Sequence, residues 1–431
     1  MIEAQPLRPY PRATTRALLG LYNLVWPLAM PALALSRRMR DGWRERVLLN
    51  GPEGPVDIWM QAASAGEAYL AEELLMALPD DKPLRVLVTS GTRQGMDILA
   101  KACEKAASKP MLATRQAFFP LDMPALMDMA MKRFSPRLMV ILETELWPGL
   151  LWAARKNEIP AIIVNGRMSA SSLGGYMAAG SFLRDIAPER VLAIAGTSAK
   201  RFSLVFGSDR VEEMQNIKFD RCPLEAAQPA PDAPVARILG NAAPLAIFGS
   251  VRSKEETEVV RAIARVREAR PDALTALFPR HMHRLDFWAK ALYEAGLPVV
   301  LRSQLTETPP AGTTVLWDAF GELGAAYGFA SAAFVGGSLH PLGGQNFLEP
   351  LIHGVTPVIG PHWKNFDWIG REIIDCGLVH EVTDADALAD QLIRNLNQPE
   401  PRESVRDRAT RYIAERRGGT AQAAACIARY L

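Results

Sequence analysis

Short apolar runs alternate with amphipathic stretches along most of this chain. In the first half the runs at 56–62, 85–89, 138–142, 161–164 and 191–195 are β-branched or fully apolar, which predicts buried strands. Between them lie helical patterns such as 68–78, where Leu70, Leu74, Leu75 and Leu78 share one face. The alternation resumes at 245–248, 274–278, 299–301, 314–316, 332–335 and 357–359. Strands alternating with helices predict parallel sheets covered on both faces, an α/β architecture of two doubly wound, Rossmann-like halves. Between the halves, 223–244 is rich in Pro and Ala and poor in aromatics, as an interdomain linker would be. The expected order is therefore a segment 1–40, a domain 41–222, the linker 223–244 and a domain 245–431, whose last helix could pack back on the first domain. Ligands of such sheets bind outside the strand C-termini, here expected in a cleft between two such sets.

The segment 1–40 breaks the pattern. Residues 17–35 form an apolar block preceded by Arg8, Arg12 and Arg16 and followed at once by SRRMRDGWRER. Ala32-Leu33-Ala34 has the small-residue pattern of a signal-peptide cleavage site, but dense positive charge just after it opposes translocation. The block is long enough to span a bilayer, yet Asn23, Pro27 and Pro31 interrupt it. An interfacial anchor, with apolar residues dipping into the bilayer and arginines meeting anionic headgroups, fits best. A Pro-kinked helix packed on its own domain is the bland alternative.

Length and composition add boundaries. At 431 residues the chain exceeds the size at which one core keeps growing. A formal net charge of +2 argues against a bulk nucleic-acid binder. The four cysteines are scattered without CxxC spacing, which disfavours a metal site or disulfide framework and suits a reducing, cytosolic face.

Candidate chemistry sits at strand ends. Ser64 and Glu67 form an S-x-x-E capping box, so Glu67 either caps its own helix or serves as a cleft carboxylate raised by burial; the residues leave these readings level. Glu143 and Glu145, two apart in ETELWP, point the same way and repel unless hydrogen-bonded or matched to a cation. The run NGRMS, with Arg167, closes the next strand. In the second half, Ser250 and Arg252 follow one strand and Arg280, His281 and His283 the next, delivering cations and backbone donors suited to a phosphate. Gly321 and Glu322 add a further turn. The richest segment is 336–366, reading strand, glycine loop with Gly337 and Ser338, helix start with Asn346 and Glu349, then strand. Helix-terminal N–H groups there could face a phosphate and Glu349 could accept from ribose hydroxyls. No Walker loop, GxGxxG, HExxH or convincing DxD-like pair is present, so metal-dependent phosphoryl chemistry and hydride transfer lack support.

In this order the motifs resemble the 3-deoxy-D-manno-octulosonic acid (Kdo) transferases of lipid A assembly. The similarity includes the apolar and basic N-terminus, SAGE at 64–67, ETELWP at 143–148, NGRMS at 165–169, NIKFD at 216–220, PRHMHR at 279–284 and the GGS…NFLEP…GP…NF series. The resemblance implies a GT-B fold and an inverting, metal-free transfer of Kdo from CMP-Kdo to a lipid A precursor, without a cofactor, at the cytoplasmic face of the inner membrane. It implies Glu67 as general base, with Ser64, Gly66, Glu143, Glu145 and Arg167 on the acceptor side. Ser250, Arg252, Arg280, His281, Gly321, Glu322, Gly337, Ser338, Asn346 and Glu349 would hold the donor. Where the family usually carries histidine this chain has Gln61 and Gln345, which bears on the identity of donor and acceptor. A transferase for another CMP-activated ulosonic acid or lipid acceptor, and a non-catalytic nucleotide-sugar or lipid A binding protein, are the alternatives.

Overall fold

The computed structural model describes residues 11–226, 229–241 and 244–431. Arg8, and residues 227–228 and 242–243 of the expected linker, lie outside the described residues. The chain forms two compact units: one runs to Arg221 and includes Arg416–Leu431, the other is Cys222–Glu415.

The first unit holds strands β1 (Ile58–Ala62), β2 (Leu84–Ser90), β3 (Leu112–Phe118), β4 (Leu138–Leu142), β5 (Ala161–Gly166), β6 (Arg190–Ile194) and β7 (Val211–Met214). They make one parallel sheet in the order β3-β2-β1-β4-β5-β6-β7. Successive side chains of a strand face opposite ways, and both faces are covered: Trp59, Leu87, Met139 and Ile163 enter one apolar layer, Ile58, Met60, Val86 and Val140 the other. The runs expected at 56–62 and 85–89 differ from β1 and β2 by a residue or two, whereas β3 and β7 had no apolar signal. Both are edge strands, and β3 exposes Ala113, Arg115 and Gln116.

Two outlying elements complete this unit. The Gly419–Ala428 helix buries Ala423, Cys426 and Ile427 in the second of those layers, and Asp220 accepts the N–H groups of Gly418 and Thr420 at 2.6 Å each. The Ala13–Leu35 helix contains Pro27 and Pro31 yet continues through them. One side is fastened down. Thr15 donates to Asp185 at 2.7 Å, Arg12 pairs with the same carboxylate, Tyr22 donates to Asp122 at 3.1 Å, and Asn23 accepts the Ala125 N–H at 2.9 Å. Burial alone would raise the Asp185 carboxyl, but the hydrogen bonds and charge of Arg12 and Thr15 outweigh it and hold it at about 2. The opposite side is bare apolar surface, with Leu28 83% and Leu24 68% exposed.

The second unit holds β8 (Leu245–Val251), β9 (Leu274–Pro279), β10 (Val299–Leu301), β11 (Thr314–Leu316), β12 (Ala332–Val335), β13 (Pro357–Ile359) and β14 (His380–Glu381). Its parallel sheet runs β10-β11-β9-β8-β12-β13-β14. The proline-rich stretch expected as a linker carries a short helix, Pro234–Leu239, which buries Val235, Ile238 and Leu239. Pro234 opens that helix at a position where its missing N–H costs nothing.

Candidate active site

In the first unit the residues expected on the acceptor side converge at the C-terminal edge of the sheet. β1 ends one residue before Ala63, and Ser64 caps the helix Ala65–Ala77. Glu67 sits in that first turn, 5% exposed. Its carboxylate accepts from the Ala63 N–H at 2.6 Å and the Ser64 hydroxyl at 2.9 Å. The cap is therefore real. It does not exhaust the residue, because burial, and then the charges of Glu145 and Glu143, push the Glu67 carboxyl up to about 8 against those hydrogen bonds. Gly66 lies exposed beside it.

Glu143 leaves β4 with a φ of +56°, a conformation costly for a non-glycine residue. The cation that the acidic pair demands is Lys218, whose Nζ lies 2.6 Å from Glu143. Glu145 stays raised by burial and by the Glu143 charge. The Arg167 N–H donates to the Thr144 hydroxyl at 3.2 Å, tying NGRMS to ETELWP. At the end of β5 Asn165 also has positive φ, +58°, within a register shift against β6, a bulge of the kind that re-aims a side chain beside a site. Its Oδ1 accepts the Ile217 N–H, while the buried amide nitrogens of Gln61, Asn165 and Asn216 make no hydrogen bond among the described residues. Three buried donors left without a partner are an energetic cost carried at these strand ends.

The donor-side residues gather in the second unit. Ser250 has φ +54° within a register shift between β8 and β9, mirroring Asn165. Ser250, Arg280 and Gly321 line a cavity of about 110 Å³ with Phe278, Trp317 and Phe320. Trp317 stacks on Phe278 at 4.5 Å and donates to Glu322 at 2.9 Å, and Arg302 grips the same carboxylate. Glu322 thus buttresses the aromatic wall. The Arg280 side chain is exposed. Asn346 donates to Glu349 at 3.0 Å, and burial raises the Glu349 carboxyl against that bond and the Arg280 charge. The His281 ring is held below its usual range by burial, then by His283, Arg252 and Arg280. Arg252 donates to the Leu342 carbonyl at 3.0 Å.

Two features temper the phosphate reading of the glycine loop. The helix after Asn346 is only Leu348–Ile352, and the Gly337 and Ser338 N–H groups are already engaged by Glu255. A larger depression of about 610 Å³, lined by Leu342, Gly343, His362, Lys364 and Arg371 among others, includes none of the expected residues. Sequence reading assigned no role to Lys218 or Glu255. The unbalanced acidic pair calls for a cation, and the NIKFD run that carries Lys218 is among the family motifs.

A family profile described as 3-Deoxy-D-manno-octulosonic-acid transferase (kdotransferase) matches residues 41–221. A 3-deoxy-D-manno-octulosonic acid transferase of Bordetella pertussis is 32% identical over 92% of this chain and 90% of its own length. The chain belongs to the Kdo transferase family. Its counterpart in Haemophilus influenzae is 30% identical, covering 84% of each chain. The protein is a glycosyltransferase of lipopolysaccharide biosynthesis. Its two parallel sheets make a GT-B fold, shared with a glycosyltransferase of Rickettsia africae at a TM-score of 0.56 and 10% identity, over 88% of this chain and 99% of that one.

Proposed function

We propose that this protein moves Kdo from CMP-Kdo to a lipid A precursor, with inversion and without a metal, at the cytoplasmic face of the inner membrane. The observation that carries the reading is Glu67, a buried carboxyl raised to about 8 inside a cluster of acidic side chains. Such a group is suited to take the proton of an acceptor hydroxyl as its oxygen attacks the anomeric carbon. The bond to the phosphate breaks with its electron pair leaving on CMP. Arg280 meets that charge, and Asn346 and Glu349 hold the nucleotide.

The test is incubation of the purified protein with CMP-Kdo and a lipid A precursor, followed by mass spectrometry of the lipid. One or more added Kdo masses, CMP release and insensitivity to EDTA are expected. A folded protein that CMP stabilises but that yields no product would instead be a binding protein, and stabilisation by UDP alone would point to a different donor.

The bare side of the Ala13–Leu35 helix, followed by Arg37, Arg38 and Arg40, suits a bilayer surface with anionic headgroups. Replacing Leu24 and Leu28 together by Glu is expected to weaken binding to anionic vesicles at least about tenfold, since each buried side chain contributes roughly 1.5–3 kcal/mol. CMP binding should not change. Undiminished vesicle sedimentation of the double variant would refute the docking role.

A further inference from the structure

Glu255 has no place in the chemistry above, yet it is 0% exposed and, among the described residues, bonded to backbone amides alone. It follows β8 in the turn Ser253–Glu255. One carboxylate oxygen accepts from Ser338 at 2.8 Å and Leu339 at 2.9 Å; the other accepts from Gly337 at 2.6 Å and Arg252 at 3.1 Å. Three successive N–H groups converging on one carboxylate form the concave arrangement that proteins use to hold anions. Gly337 permits it with a φ of +72°. At Gly336 an added Cβ would lie 2.7 Å from the Val251 Cα, so the β8 and β12 ends must close on each other for the carboxylate to reach. Ser338 extends the tie to β13: its hydroxyl donates to the Val335 carbonyl and accepts the Gly360 N–H, each at 2.8 Å.

We infer that Glu255 is a positioning residue that fills the anion nest of the glycine loop from within, so that the loop shapes the donor site but leaves the phosphate to Arg280. This rests on the CMP-sugar reading for the identity of the ligand, not for the nest itself. A nest already occupied by a carboxylate at 2.6–2.9 Å repels a second anion. What Glu255 supplies instead is a fixed path for the chain from Gly337 to Gly344, whose N–H donates to the Gly337 carbonyl at 2.6 Å, and so to Asn346 and Glu349 beyond.

The experiment is hydrogen exchange on the full chain, with and without CMP, resolved over 337–339 by overlapping peptides. These amides should be protected without CMP and unchanged on its addition, while segments around Arg280 and Glu349 gain protection. Free exchange at 337–339 that only CMP suppresses would overturn the assignment. In parallel, Glu255→Gln replaces one acceptor oxygen by a donor facing backbone donors. It should raise KM for the CMP-sugar about tenfold or more, with kcat changed far less, because the acceptor-side groups are untouched. An unaltered KM, or a loss confined to kcat, would also overturn it. If that variant does not fold, the exchange measurement on the native chain still decides. Protected amides at 337–339 with no CMP effect anywhere in Cys222–Glu415 would uphold the nest and count against CMP as the ligand.

Discussion

Glu67→Gln should abolish sugar transfer while leaving the protein folded, with kcat reduced roughly 100- to 10,000-fold. The glutamine retains an oxygen for the Ala63 N–H, so the helix cap largely survives; Glu67→Ala loses it and mixes a local stability cost with the catalytic one. In the native enzyme kcat/KM should rise with pH along a limb centred near 8, the value at which Glu67 gives up its proton. The limb should flatten in the glutamine variant. Stability carries the same signature with the opposite sign. A carboxyl raised from 4.5 to about 8 stabilises the fold fully below 4.5, and that contribution is lost as pH climbs through 8. The loss amounts to a few kcal/mol, at roughly 1.4 kcal/mol for each tenfold change in proton affinity. Relative to the native protein, Glu67→Gln should therefore melt higher at pH 9 than it does at pH 5. A glutamine variant with more than half the native kcat would end the base assignment.

Lys218→Met should act on the same group from a distance. Removing the ammonium leaves the Glu143 charge unmatched, so its repulsion of a Glu67 carboxylate grows. The rising limb of the pH–rate profile should move to higher pH, with activity at pH 7 falling about tenfold for each pH unit of displacement. Stability should drop by about 1–2 kcal/mol, less than for a fully buried pair because both side chains are about a fifth exposed. A double change with Glu143→Gln should return the limb towards its native position. A limb that stays put in Lys218→Met would mean that the ion pair is structural.

The central strands were legible because a strand buried on both faces must be apolar throughout, and 138–142, 314–316, 332–335 and 357–359 read true to the residue; the half-buried edge strand 299–301 did so because all three of its residues are apolar. The edges were not. Arg115 and Gln116 in β3, and the two-residue β14, carry no apolar signature because water covers one side of them. SAGE, ETELWP and NGRMS could be found from strand ends and turn residues, which are local. The pairing of Lys218, within NIKFD, with Glu143 could not, since the two lie 75 residues apart. Gly336 and Gly337 pointed to backbone donors facing a phosphate, but spacing says nothing about which anion meets them, and the carboxylate that does so is 82 residues away from Gly337.

The fastening of the Ala13–Leu35 helix has a practical consequence. Removing it to seek more soluble material would strip Asp185 of Arg12 and Thr15 and uncover the apolar layer that Leu19 packs against. It would also take Tyr22 from Asp122, the carboxylate that holds the Gly149 and Leu150 amides at the start of the helix after ETELWP. A shortened protein would thus carry its damage to the edge of the ETELWP loop, and low activity in it would say little about lipid. Soluble material is better sought by recolouring the bare stripe at Leu21, Leu24 and Leu28 with polar side chains, leaving the fastened side whole.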